Sequence, residues 1–253
     1  MKLRAYFTDH FVNKTVMQFF AKSLNIELLS IDQYQQDDQT FCSYGILRGT
    51  SDPIKVSKNF IYLDHGFFGS SLRSFTESKN TVLKGLDGYF RIIKNDLYFN
   101  LEYSNTNSSR FNNLDISLKD LNKNGKYIIL SEPSENTLNF LGLENWTKNT
   151  INELKKYTDR EIIVHNKFHN TPLKELFYKA YAFVSLQSTA GFKAICEGVP
   201  AYFTHNTLKK YGNISTIEDR LLNHNVLFEA SNSQWRLKEF FNDSFQNYIK
   251  KIA

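Results

Sequence analysis

The segment Val184-Ser185-Leu186-Gln187-Ser188-Thr189-Ala190-Gly191-Phe192-Lys193-Ala194-Ile195-Cys196-Glu197-Gly198-Val199-Pro200 reads as a buried strand, a turn of small polar residues and a helix. Gly198 stands where a helix C-terminus most often needs a residue in the left-handed conformation. At the other end, a helix N-terminus leaves backbone N–H groups without partners and carries partial positive charge. Small side chains at Ser188, Thr189 and Ala190 would let a phosphate approach those groups. An ordinary N-cap by Ser188 or Thr189 reads the same way, so both readings stay open.

Working outward, the same alternation continues. Residues 126–131, 161–164, 182–185 and 201–203 read as strands, and residues 146–157, 173–179, 190–197 and 236–247 as helices. Strands alternating with helices predict a doubly wound parallel sheet. Towards the N-terminus, residues 2–8, 26–30, 41–47 and 60–63 read as strands and 15–23 as a helix. Residues 88–93 and 97–101 suggest a hairpin, and the Asn/Ser-rich run 103–113 a linker or lid. The expected fold class is therefore α/β, with two Rossmann-like lobes, residues 1–120 and 121–253, and a cleft between them.

The 253 residues carry 31 basic and 26 acidic side chains, a net charge of +5. The excess is spread evenly, 15 to 13 over residues 1–125 and 16 to 13 over 126–253, so charge alone does not draw a nucleic-acid footprint. No apolar run approaches the roughly 18 residues of a membrane helix. Asp9 and His10 interrupt any signal-peptide core, which predicts a cytoplasmic protein with no integral membrane segment. Two cysteines, Cys42 and Cys196, are too few for a disulfide scaffold or a CxxC metal site and read as small buried hydrophobes.

Three strand ends send polar residues to one edge of the second lobe. Ser134 follows the first strand, His165 and Lys167 follow the next, and Ser188 and Thr189 follow the third. Ligands bind at such carboxyl edges. This order of motifs (Ser131-Glu132-Pro133-Ser134, Asp159 to Lys167, Ser188-Thr189-Ala190, Glu197-Gly198-Val199-Pro200) resembles the donor-binding half of GT-B glycosyltransferases. It is most similar to compact members found in phage genomes and in capsule or lipopolysaccharide assembly, over about residues 40–240. The resemblance implies that the second lobe holds a nucleotide-sugar donor through Ser134, His165, Lys167, Ser188, Thr189, Ala190 and Glu197. Where many members carry a ribose-binding Glu this chain has Lys193, and its acidic residue is Glu197. The first lobe would then present the acceptor.

Sugar transfer to a hydroxyl needs a general base, and it needs dipoles or cations to stabilise the departing diphosphate. Tyr62-Leu63-Asp64-His65-Gly66 places an acid and an imidazole at a strand end; Asp64 is the expected base, with His65 orienting it or touching substrate, and His65 as base is the alternative. His10 forms a second acid–imidazole pair with Asp9, and Arg48 and Arg91 lie near glycines where they could clamp acceptor or phosphate. A turn cap, a packed imidazole and surface ion pairs are the plain alternatives. No HxxxH, CxxC or strand-end DxD appears, so no metal and no cofactor beyond the nucleotide-sugar is expected. The absence of GxGxxG, GxxxxGK[ST] and GxSxG argues against dinucleotide oxidoreductases, P-loop NTPases and α/β-hydrolases.

The acceptor stays open between three readings. Size, the Asn/Lys/Phe/Tyr/Ile-rich usage, the positive charge and the phage resemblance favour a hydroxymethylated pyrimidine in duplex DNA. A cell-surface polysaccharide or lipid-linked sugar is the enzyme alternative, and a non-catalytic nucleotide-binding module is the other. Phe67, Phe68, Tyr89, Phe90, Tyr98 and Phe99 with Arg73, Arg91 and Lys94 could stack on bases or form core.

Overall fold

The computed structural model describes residues 2–69, 88–100, 102–166 and 168–253. Lys167 and Arg73 lie outside the described residues. The first half of the chain holds β1 (Leu3–Phe7), α1 (Phe11–Leu24), β2 (Glu27–Ser30), β3 (Thr40–Tyr44), α2 (Ser51–Val56), β4 (Phe60–His65), β5 (Tyr89–Lys94) and α3 (Ser109–Asn112). Then come β6 (Tyr127–Ser131), α4 (Glu135–Leu141), α5 (Trp146–Leu154), β7 (Ile162–His165), α6 (Leu173–Phe177), β8 (Ala180–Ser185), α7 (Thr189–Cys196) and β9 (Ala201–Phe203). The last elements are α8 (Asn225–Asn232), β10 (Gln234–Arg236) and α9 (Asp243–Ile252). Two compact units form: Met1–Arg110 with Glu229–Ala253, and Phe111–Phe228.

In the first unit the strand order is β10-β5-β4-β3-β1-β2. β2, β1, β3 and β4 run parallel, and β5 and β10 continue the sheet antiparallel. β3 is buried along its whole length, as a central parallel strand covered on both faces should be. α1 turns Val12, Val16, Met17, Phe20 and Ala21 onto the sheet, a helical stripe, and stops at Asn25 in the left-handed conformation (φ 51°). α9 does the same with Phe245, Tyr248, Ile249 and Ile252. Phe20 meets Phe240 and Phe245 edge-on at 6.2 and 6.3 Å. Each such buried ring contributes about 1.5–3 kcal/mol relative to exposure.

Two expectations are corrected here. The boundary near 120 falls instead at 110/111, and residues 229–253 belong to the first unit. The reason is core completion: Trp235, Leu237, Phe240 and the α9 stripe join the same cluster as Val16, Ile61 and Ile92. Among the described residues, 97–100 form no strand and make no hairpin with 88–93. β5 pairs with β4 and β10, while the Asp96 carboxylate accepts the Tyr98 N–H (2.6 Å) and turns the chain away. Of the two readings of the aromatic cluster, core is the one the structure bears out: Phe67, Phe68, Phe90, Tyr98 and Phe99 are buried.

The second unit has an all-parallel sheet of order β7-β6-β8-β9. β8 is buried throughout, and Ile128, Leu130, Ala182 and Val184 form the core of one face. α7 closes as a Schellman turn. The Val199 N–H reaches the Ala194 carbonyl (2.8 Å) and the Gly198 N–H that of Ile195 (3.0 Å), with Gly198 at φ +80°. A Cβ on Gly198 would also collide with the Asp120 carbonyl, so only glycine fits.

Candidate functional site

Each sheet reverses its direction of strand addition once among its parallel strands, and the carboxyl edge at such a switch point is where ligands bind in open α/β sheets. In the first unit the switch lies between β1 and β3. A pocket of about 300 Å³ sits there, lined by Thr8 after β1, Tyr44 to Arg48 after β3, Tyr62, Asp64 and His65 on β4, and His10 and Asn13 around the start of α1. Four of the residues singled out from sequence, His10, Arg48, Asp64 and His65, thus converge on one pocket.

The pocket floor is held by residues the sequence reading passed over. Asn13 lies buried on the apolar face of α1. Its Oδ1 accepts the Thr8 N–H (2.8 Å), and its Nδ2 donates to the Tyr44 carbonyl (2.8 Å). One side chain therefore ties the ends of β1 and β3 together. A polar residue inside the Val12/Val16/Met17 stripe was the available signal. Beyond Tyr44 the chain makes a tight loop with Gly45, Arg48 and Gly49 all at positive φ (74°, 61° and 89°). The Thr50 hydroxyl closes it on the carbonyls of Gly45 (2.7 Å) and Leu47 (3.0 Å). Arg48, exposed, is a residue in a conformation that costs L-amino acids about 1–2 kcal/mol.

Asp64 is thoroughly engaged. Its Oδ2 accepts from Tyr62 Oη (2.7 Å) and Arg91 Nη2 (2.7 Å), and its Oδ1 from the His65 N–H (2.8 Å). Burial works against the charged carboxylate. Arg91 first, then His65 and the hydrogen bonds, outweigh it and hold the carboxyl below its ordinary range. Arg91 is itself buried, over the rings of Tyr98 (4.6 Å), Tyr62 and Phe67 (both 5.5 Å), with its proton held more firmly than usual. The expected acceptor or phosphate contact by Arg91 is not seen: its Nη2 donates to Asp64, and Arg91 is not a lining residue of the pocket.

His65 Nε2 lies 2.9 Å from the buried Tyr44 hydroxyl. Burial above all lowers the His65 pKa, and Arg91 and His10 add to this, while Asp64 opposes it. His10 is lowered by burial and then by Arg48. Both imidazoles are thus neutral at pH 7 and able to accept a proton.

In the second unit the switch lies between β6 and β8, whose last residues Ser131 and Ser185 stand side by side. Ser134 N-caps α4, accepting from the Thr137 N–H (3.3 Å), and Ser188 N-caps α7, accepting from the Ala190 N–H (3.2 Å). Thr189 and Ala190 form the first turn of α7 and stay partly exposed. His165 ends β7 with its ring 4.9 Å from His169, and burial, chiefly, lowers its pKa. Glu132 accepts from Thr147 (2.8 Å) and Asn166 (3.1 Å) at this edge. Gln187, unnoticed in the sequence, is buried between Ser185 and Ser188 with an unpartnered Oε1. Glu197 does not join the edge. It is the C-cap of α7, a helix length from Ser188, and pairs with Lys119.

Among the described residues no group of three or more His, Cys, Asp or Glu side chains gathers to hold a metal ion. No helix among them is long and apolar enough to cross a membrane.

No family profile matches the chain, and no curated protein matches it in sequence. Among solved structures it is similar to the Thermosulfurimonas dismutans KpsC, a beta Kdo 2,7 transferase. The TM-score is 0.55 at 11% identity, covering 98% of this chain and 100% of that one. A second match is shikimate 5-dehydrogenase from Listeria monocytogenes in complex with shikimate and NAD, with a TM-score of 0.25, 10% identity and coverage of 100% and 96%. The first likeness agrees with an α/β fold of two Rossmann-like units; the second is too distant to bear on the fold.

Proposed function

We propose that the chain is a glycosyltransferase that moves a sugar from a nucleotide-sugar to the hydroxyl of a saccharide acceptor. The observation that carries this is the first-unit pocket, where His10, His65, Asp64 and Arg48 meet at the β1/β3 switch point. Its likeness in fold to a Kdo transferase supports the reaction class and favours a saccharide over a DNA base.

In this reading His65 is the proton acceptor. Asp64 already accepts three hydrogen bonds and is depressed by Arg91, so it is the weaker base and acts as the electrostatic partner of the imidazole. The acceptor oxygen attacks the anomeric carbon and its proton passes to His65. The nucleoside diphosphate leaves with the electrons of the broken C–O bond. The second unit supplies the donor edge, with Ser134, His165 and the first turn of α7 (Ser188, Thr189, Ala190) offered to the diphosphate. The helix N-terminus there favours the charge that develops on departure.

The test is mass spectrometry of products after incubation with a pool of nucleotide-sugars and two acceptors, an oligosaccharide mixture and hydroxymethylated duplex DNA. A hexose-, pentose- or sugar-acid-sized gain on the saccharide is the expected result. A gain on the DNA base alone would replace the acceptor. Nucleotide binding without transfer to either would replace the enzyme with a binding module.

A further inference from the structure

We infer that the outer helical face of the first unit docks on an anionic membrane surface. α1 buries Val12, Val16 and Phe20 on one side, and the other side of such a helix is ordinarily polar. Here it carries Phe11 and Phe19, 54% and 38% exposed. The helical turn Leu237–Phe241 packs beside α1, and its Phe241, 49% exposed, meets Phe19 edge-on at 6.1 Å. Three phenyl rings held partly in water on one layer mark a surface that gains by being covered.

Charge identifies the partner. α1 carries Lys14 and Lys22, both exposed, and no acidic residue. The turn adds the exposed Lys238, and α9 ends with Lys250 and Lys251. Against these five lysines the same three segments hold two acids, Asp243 and Glu239, and Glu239 is paired with Arg110. Their net charge of +3 is more than half of the +5 of the whole chain. Asp9, just before the cap of α1, is the nearest further acid along the chain.

Phenyl rings interspersed with lysines suit a lipid headgroup layer. The rings enter the acyl boundary while the ammonium groups stay among the anionic headgroups. A second copy of the chain fits worse, because it would set lysine against lysine, and protein interfaces keep lysine out of their cores. Duplex DNA would use the lysines and leave the rings in water. Phe11 adjoins His10 of the pocket lining, so docking brings the β1/β3 pocket to the membrane surface. Docking stands whether or not the chain transfers a sugar.

The experiment is co-sedimentation of the full chain with vesicles of phosphatidylcholine alone, or of phosphatidylcholine and phosphatidylglycerol in equal parts. Saturable binding to the anionic vesicles is expected, with much weaker binding to the neutral ones. Changing Lys14, Lys22 and Lys238 together to Gln should weaken it on the order of a hundredfold, at about 1 kcal/mol per cation. The same change at Lys148, Lys155 and Lys174, exposed in the second unit, should leave it nearly unchanged. Phe11→Ser with Phe19→Ser should weaken it about tenfold or more. Phe11→Trp keeps a ring at its position, and its fluorescence should shift to the blue and be quenched by brominated acyl chains. No binding to anionic vesicles, an equal loss from the second-unit lysines, or no quenching in the Phe11→Trp variant would overturn the inference. Tighter binding to duplex DNA at the same salt would replace the membrane by nucleic acid, and a dimer lost in the serine variant would replace it by a second copy. Vesicle binding with no transfer to any acceptor would keep this inference and remove the transferase. Transfer without vesicle binding would do the reverse.

Discussion

Both units contain a parallel sheet whose strand order reverses once, yet they furnish the crevice differently. At the first, strand ends carry Asp64 and His65, and the neighbouring turns carry His10 and Arg48. At the second, strand ends are followed by Ser134 and Ser188, which cap the helices behind them. Titratable groups need an elaborate foundation. Asp64 is held ionised under partial burial chiefly by Arg91, helped by His65 and the Tyr62 hydroxyl, and Arg91 in turn packs over the rings of Tyr62, Phe67 and Tyr98. Hydroxyl caps need nothing of the kind, since the helix ends they face are already polar. One edge is suited to moving protons and the other to receiving charge.

The contrast can be broken most severely at His65. His65→Asn should lower kcat by about 10²–10⁴-fold, the usual share of a general base, while nucleotide affinity measured by calorimetry stays within about twofold. The wild-type kcat/KM should fall as pH drops through a pKa lying below the ordinary histidine value, because protonation of His65 removes the acceptor and burial shifts that step to lower pH. A limb above the ordinary value would place the base elsewhere.

The foundation comes next. Arg91→Met leaves Asp64 with its charge and without its partner, and breaking such a pair costs about 3–5 kcal/mol when fully buried. Asp64 retains 23% side-chain exposure, so about 2–3 kcal/mol is expected in urea unfolding. Above the ordinary carboxylate range the loss should be full, and it should shrink as pH falls and Asp64 protonates in both states. A loss independent of pH would mean that Arg91 matters through its aromatic neighbours alone.

The smallest effects separate the two ends of α7. Ser188→Ala removes a cap worth about 1 kcal/mol and should weaken nucleotide binding severalfold. Glu197→Gln, whose ion pair with Lys119 is largely exposed, should change stability by less than about 0.5 kcal/mol and nucleotide binding not at all. If Glu197→Gln weakens the nucleotide more than Ser188→Ala, the donor edge has been assigned to the wrong end of the helix.

Much of the α/β alternation was legible, because buried parallel strands such as β6 and β8 are short apolar runs ending in small polar residues. The end of α7 was legible too, since Gly198 announces it. The return of the C-terminus to the first unit was not. The α9 stripe of Phe245, Tyr248, Ile249 and Ile252 says that a helix buries one face, and periodicity cannot say against which core. Asp64, His65, His10 and Arg48 were visible as strand-end or glycine-flanked polar residues. That Arg91 serves Asp64 was hidden, because the two stand opposite each other on β4 and β5 across 27 positions of sequence. Asn13 was hidden by its helix, and Glu197 was misplaced because adjacency to Gly198 says nothing of which end of α7 faces the ligand.

The two-part make-up of the first unit also orders events during synthesis. Chain emerges from the ribosome N-terminus first, at about 5–20 residues per second. Residues 111–228 are thus all made before Glu229–Ala253 appears. The second unit can complete its sheet while the first still lacks β10, α9 and the Trp235/Phe240/Phe245 side of its core. The unit that holds the β1/β3 pocket is the last to close, and a ribosome that stalls before residue 229 leaves it open with its apolar face in water.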